Sequence, residues 1–291
     1  MIKEPKVSLF SMAMCLSNAM DLVSPALVDH HKRVAYIALC MASEMGMSVH
    51  EQNNLMLAAL LHDSGALSLA ERIETLNFET LHSREHAERG YRLLQHFRPF
   101  TEIANIIRYH HTPSDEGGNL PLSSNLLHLA DRAAVLMKKQ PDILGQSRDI
   151  CEKIQENSGK LFLPKLVDIF KTLSEREHFW LDAVSPSINS ILFHRSNLPS
   201  VEMRPAELLG LGMIFCQIID FRSRFTATHS RGVAAGAEAL ASLAGFSKRE
   251  CEMMRMAGFL HDLGKLAVPT EILEKPAALT KEEFNIVRRH T

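Results

Sequence analysis

The chain has 291 residues, 46% of them apolar and 6% aromatic, with a net charge of −2 and a pI near 6.7. That is enough for one large domain or two ordinary ones, and the charge excludes a surface built for duplex nucleic acid. Five cysteines, at 15, 40, 151, 216 and 251, form no Cys-x-x-Cys pair and sit among apolar residues. They read as reduced, buried thiols of a cytoplasmic protein.

The first stretch, "VSLFSMAMCLSNAM" (7–20), is interrupted by Ser and Asn and has only a weak basic flank. It reads as an ordinary helix and not as a signal peptide, and no segment is long and apolar enough to span a bilayer. Ser24-Pro25 reads as an N-cap followed by Pro at the first helical position, with Gly46 as the stop. Between them His30, Val34, Ile37, Ala38 and Met41 fall on one face. Residues 53–62 are apolar nearly all round, as in a helix crossing a domain centre. A helix from about 84 to 97 stops before Pro99. The next, from Thr101, puts Ile103, Ile106, Ile107 and His110 on one stripe. Ser123-Ser124 can cap a helix whose inward residues include Leu127, Asp131 and Ala134. Residues 141–205 read as helical, broken at Pro141, Pro164, Pro186 and Pro199, and carry no chemical motif. With no strand alternation anywhere, the fold class is all-α, with units at 1–140 and 206–291 and a helical connector at 141–205 packed against the first.

Sliding the chain by 199 residues exposes a repeat. His30 falls on His229, Val34 on Val233, Ala35 on Ala234 and Ala38 on Ala237. "GMS" (46–48) falls on "GFS" (245–247), Glu51 on Glu250, Leu61-His62-Asp63 on Leu260-His261-Asp262, and Gly65 on Gly264. This is a duplicated unit.

The fifteen histidines direct attention to metals. Helical periodicity turns His30, His62, Asp63, His86, His110 and Asp131 toward one apolar interior, with His111 beside them. Burying so many polar groups costs several kcal/mol unless they are paired or bind a metal. Imidazole and carboxylate together suit first-row transition metals, and an Asp next to a His can bridge two ions. Two ions roughly 3.5–4 Å apart can clamp a phosphate and bring the pKa of a bridging water toward about 7. His31, His50, His82, His96, His128, His178 and His194 read as surface or internally satisfied residues. The repeat selects His30 over His31, because His30 aligns with His229.

This pattern resembles the HD-GYP family of the HD superfamily of metal-dependent phosphohydrolases. The second unit resembles it through "IIDFRSRFTATHSRGVA" (218–234) and "FLHDLGKLAVPTEILEKPAALTKEEFNIVRRH" (259–290). The first does so through "HHKRVA", "LLHDSGAL", "HAERGYRLL", "IIRYHHT" and "LHLADRAAVL". The resemblance implies tandem HD-domain helical bundles. It implies one ion on His30, His62, Asp63 and Asp131, with Asp63 bridging to a second ion on His86, His110 and His111. In the second unit His229, His261 and Asp262 match ligands, and His290 matches the middle His. Lys265 matches a family lysine able to stabilise charge on phosphate. Asp63, Asp262 and Lys265 are thus the catalytic candidates. The Glu that family members with a third metal carry is replaced by Ala26 and Phe225, so two divalent ions are expected, with iron or manganese suiting the His/Asp set. The implied substrate is a small phosphorylated molecule, a cyclic dinucleotide and above all cyclic di-GMP. The reading leaves a homodimer open.

The departures from the family pattern set further expectations. Ala66 stands in the lysine position of the first unit, and "TPSDEGGNLP" (112–121) replaces the family's Asp-Gly-x-Gly-Tyr-Pro loop. The basic residues beyond the final Asp give way to "AAVLMKKQ", with Lys138 and Lys139 as loose substitutes. The second unit breaks off before its own His-His pair, which reads as truncation of a longer tandem protein. On this view the first copy holds metal in a structural or regulatory role, and the second, once complete, keeps the chemistry. The competing reading is a non-catalytic tandem scaffold or nucleotide sensor. "HSREH" (82–86) also fits an inverted zinc-peptidase signature with Glu85 as base, but the HD order already accounts for His86.

Overall fold

The structure is a computed structural model that describes residues 6–21, 27–66, 69–78, 83–116, 120–138, 142–220, 229–273 and 275–290. β1 (Lys6–Ser8) leads into α1 (Leu9–Asp21), followed by α2 (His30–Glu44), α3 (Val49–Leu61) and the short α4 (Leu69–Glu74). Then come α5 (Ser83–Leu94), α6 (Thr101–Arg108), α7 (Leu122–Leu136), α8 (Ser147–Glu156), α9 (Pro164–Ser174), α10 (Glu177–Ala183) and α11 (Ile188–Arg195). β2 (Ser200–Glu202) precedes α12 (Pro205–Asp220), α13 (His229–Leu243), α14 (Lys248–Leu260), α15 (Thr270–Leu273) and α16 (Lys281–Val287). The fold is all-α apart from β1 and β2, which pair antiparallel with Val7 opposite Val201. Alternation there is too short to stand out in the sequence, and both valines are half-buried.

Local chemistry explains the main boundaries. Ser48 and Glu51 form a reciprocal capping box at the start of α3, and Ser247 and Glu250 repeat it at the start of α14. Gly46 follows the end of α2 with φ of 66°, the left-handed backbone that favours glycine. The α2 start differs from the expected one. Residues 22–26, where Ser24-Pro25 and Ala26 lie, are outside the described residues, and the helix begins at His30 behind Asp29. Likewise α7 begins at Leu122 behind Pro121, one residue ahead of Ser123.

α2 and α3 form the centre of the molecule. Nearly every residue of α2 is buried, and α3 is buried from Leu55 to Leu61, so α2 and the C-terminal half of α3 pack on all sides. α6 and α7 cover them on one side, while α8 to α11 extend the same core. Phe170, Phe179 and Trp180 stack edge to face there. Tyr36 of α2 donates to Asp182 of α10 at 3.2 Å, tying α10 to the central helix. In the second unit α13, α14 and α12 pack together, with a small buried cluster at Cys216, Ala234 and Phe259. Leu240 is 69% exposed there, whereas its repeat counterpart, Met41, is fully buried.

Candidate metal centre

Five separate elements deliver the polar residues of the first unit to one point. His30 is the first residue of α2, and His62 and Asp63 sit in a 3-10 turn (His62–Gly65) at the end of α3. His86 rides on α5, His110 and His111 lie just past the end of α6, and Asp131 is on α7. Gly65 lets the turn press against α5: a Cβ there would collide with the His86 carbonyl oxygen and the Gly90 nitrogen. Glycine is needed for close approach of backbone to backbone.

Asp63 faces two ways. Its Oδ1 is 3.4 Å from His86 Nε2, and its Oδ2 is 3.4 Å from His62 Nε2. Asp131 Oδ1 lies 3.2 Å from His30 Nε2 and 3.5 Å from His62 Nε2. Donor atoms of Asp63, His86, His110 and His111 all lie within 4.8 Å of one another, as do those of His30, His62 and Asp63, and of His62, His110 and Asp131. All of these side chains are buried.

The surrounding groups fix which atoms face inward. His62 Nδ1 is 2.8 Å from the Ala59 carbonyl, and His110 Nδ1 is 2.6 Å from that of Ile107. A carbonyl can only accept, so each Nδ1 carries a proton, and in the neutral ring each Nε2 presents a lone pair. Arg132 donates to Asp131 Oδ2 at 2.6 Å, and to the carbonyls of Thr75, Asn77 and Phe78. Thr75 Oγ1 donates to Asp63 Oδ2 at 3.0 Å.

What remains is a set of ring nitrogens and carboxylate oxygens without hydrogen bonds. The Nε2 atoms of His30, His62, His86, His110 and His111, with Asp63 Oδ1 and Asp131 Oδ1, are buried with no hydrogen-bond partner among the described residues. Orphaned buried polar atoms are rare and costly. Here they converge from imidazoles and carboxylates, the donor set of a first-row divalent cation. The residues present therefore fit a metal.

Electrostatics agree with that donor set. Burial pushes the His110 and His111 imidazoles well below their usual range, reinforced by neighbouring histidines, and also lowers His30 against the pull of Asp131. Burial alone would raise both carboxyls. His62 and His86 outweigh it at Asp63, and Arg132, His30 and His62 at Asp131, so both stay well below the usual carboxylate range. Burial would also lower His62, but Asp63 and Asp131 raise it to about 9. Without a cation between the carboxylates, His62 carries their compensating proton.

The second unit repeats the pattern in a more open setting. His261 Nδ1 is 2.8 Å from the Gly258 carbonyl, His229 Nε2 is 3.6 Å from Asp262 Oδ2, and His290 Nε2 is 3.4 Å from Asp262 Oδ1. Gly264 abuts the His290 carbonyl as Gly65 abuts that of His86. His229, His261 and Asp262 lie within 4.8 Å of one another, but His229 is 47% exposed at its side chain and His261 33%. Lys265 Nζ donates to Asp262 Oδ2 at 2.6 Å.

Two histidines expected to be surface or satisfied are buried with one ring nitrogen left unbonded. His31 and His128 are buried, and His31 Nε2 and His128 Nδ1 lack partners among the described residues. Because α2 has no solvent face, its second residue is enclosed as fully as its first. Their placement, and that of Asp21, Thr75 and Arg132, was not legible in the motifs. His50 is paired with Glu102 at 2.8 Å, and His96, His178 and His194 are exposed, while His82 lies outside the described residues. Glu85 is exposed while His86 is buried. Lys138 is exposed, and Lys139 lies outside the described residues, as does Phe225.

Family models described as HD domain match residues 27–136 and 214–291. A 3'3'-cGAMP-specific phosphodiesterase of Vibrio cholerae is 30% identical over 99% of this chain and 70% of its own. The chain belongs to the HD superfamily of metal-dependent phosphohydrolases. It carries HD domains in tandem. The cyclic di-GMP phosphodiesterase response regulator RpfG of Xanthomonas campestris is 33% identical over 33% of this chain and 24% of its own, and a Thermotoga maritima cyclic di-GMP phosphodiesterase is 27% identical over 50% and 44%. A solved Vibrio cholerae cyclic GMP-AMP phosphodiesterase superposes with a TM-score of 0.72 at 23% identity, covering 99% of this chain and 78% of that one, a likeness of fold. No helix among the described residues is long and apolar enough to cross a membrane.

Proposed function

We propose that this HD protein is a phosphodiesterase acting on a cyclic dinucleotide, and that the first unit builds its dinuclear metal centre. The observation that carries the reading is the convergence of seven buried imidazole and carboxylate atoms that have no hydrogen-bond partner among the described residues. His30, His62, Asp63 and Asp131 would hold one ion, and Asp63, His86, His110 and His111 the other. Divalent ions so held supply Lewis-acid charge for a phosphodiester and a water of lowered pKa.

The chain's own residues supply the rest. Asp63, ionised and with one oxygen toward each group, links the two halves. Arg132 neutralises the outer oxygen of Asp131 and leaves the inner one open. The carbonyls of Ala59 and Ile107 keep His62 and His110 in the tautomer that presents Nε2. The apolar helices around the site keep bulk water away from these groups and strengthen every charge interaction within it.

The substrate proposed first is 3'3'-cGAMP, because the relative so named matches along nearly the whole chain. Relatives named for cyclic di-GMP match over at most half of it. Purified chain reconstituted with manganese or iron is incubated with each dinucleotide, and products are separated by chromatography. Linearised product that disappears in Asp63→Asn but persists in Asp262→Asn supports the assignment. Loss in Asp262→Asn alone would move the chemistry to the second unit, and no product with any metal would favour the scaffold reading.

A further inference from the structure

The two copies disagree at one oxygen. In the second unit Lys265 Nζ donates to Asp262 Oδ2 at 2.6 Å. The first unit has Ala66 in the lysine position, and the equivalent oxygen, Asp63 Oδ2, faces His31 Nε2 at 3.9 Å. The repeat puts Ser230 opposite His31. The histidine is present where the lysine is missing, and absent where the lysine is kept.

His31 is also held for a purpose. Its ring is 1% exposed, and its Nδ1 lies 2.5 Å from Asp21 Oδ1. The other Asp21 oxygen accepts the Asp29 N–H at 3.0 Å. Asp29 has φ of 65°, a left-handed backbone that costs a non-glycine residue roughly 1–2 kcal/mol. The hydrogen bond from Asp29 holds Asp21 beside the start of α2. A carboxylate accepts, so Nδ1 carries a proton, and in the neutral ring Nε2 presents its lone pair. That Nε2 has no hydrogen-bond partner among the described residues. The His31 ring lies 5.4 Å from that of His30 and 5.2 Å from that of His62. A carboxylate behind an imidazole whose other nitrogen is open is the arrangement of a metal-ligating histidine.

We propose that His31, oriented by Asp21, is an additional ligand of the first unit's metal centre, binding a first-row divalent ion on the Asp63 Oδ2 side where the second unit places Lys265. The proposal rests on the metal-centre reading above. The probe is cobalt(II), titrated into the metal-free full chain, which yields an affinity and a visible spectrum sensitive to donor number and type. His31→Gln keeps a polar side chain of similar reach. It should weaken one binding step about 10- to 100-fold and alter the spectrum, and Asp21→Asn should weaken the same step about tenfold. Melting of each metal-free variant, followed by fluorescence of the buried Trp180, separates lost ligation from lost folding. His110→Ala is the reference for a ligand of the proposed centre. Unchanged cobalt affinity and spectrum in both His31→Gln and Asp21→Asn, while His110→Ala loses cobalt, would overturn the His31 assignment and leave the centre intact. Failure of the wild-type chain to take up cobalt would overturn both.

Discussion

Replacing Gly65 with alanine tests whether the turn after α3 is shaped to set the metal-binding residues. A Cβ at this position would meet the carbonyl oxygen of His86 and the backbone nitrogen of Gly90 at impossible distances. Both belong to the backbone of α5, so no flexible side chain can give way and the helix itself must shift. Overpacking of this kind costs about 1–3 kcal/mol. The shift also carries His86 away from Asp63 Oδ1, now 3.4 Å from its Nε2, which should weaken the proposed second ion by at least 10- to 100-fold. Urea unfolding of metal-free protein, read by the single, buried Trp180, measures the first effect, and manganese titration the second. Gly46→Ala is the control, since its Cβ would meet open space at φ of 66°. It should cost about 1 kcal/mol through backbone strain alone and leave metal binding untouched. A Gly65→Ala protein with wild-type midpoint and wild-type manganese affinity would refute the packing argument.

Other consequences can be checked on the same protein. Arg132→Met leaves Asp131 buried beside an uncharged side chain and strips the Thr75, Asn77 and Phe78 carbonyls of a donor, so urea unfolding should show a loss of about 3–5 kcal/mol. Thr75→Val removes the donor to Asp63 Oδ2 and should lower manganese affinity about tenfold in a competition titration. The metal-free protein should also show a pH optimum. His62 is raised from 6.5 to about 9, so its stabilisation is complete below pH 6.5 and is lost as pH rises through 9. His30, His110 and His111 are lowered, so theirs is lost as pH falls below 6.5. The melting midpoint should therefore peak near pH 6.5, and His62→Gln should flatten the alkaline limb.

The sequence carried the helical architecture well, because α3 and the helices flanking it have apolar patterns that only burial explains. The repeat was legible for a structural reason: Gly65 and Gly264 both meet a histidine carbonyl, and Ser48–Glu51 and Ser247–Glu250 both cap a helix. His31 was hidden because a helix drawn from Ser24 allows an outward face at that position, whereas α2 starts at His30 and is enclosed on all sides. Asp21 sits ten residues away at the end of another helix, where no local spacing links it to His31. Arg132 was passed over for a related reason. The family's basic residues beyond the final Asp contact phosphate, but Arg132 folds back onto the adjacent Asp131.

Metal content of the purified chain, by elemental analysis of the wild type, Asp63→Ala and Asp262→Ala, tests the account most directly. The first unit should hold about two ions per chain, lost in Asp63→Ala and retained in Asp262→Ala. A chain that binds no metal, even when offered iron or manganese, or one whose metal is indifferent to Asp63→Ala, would contradict the central claim.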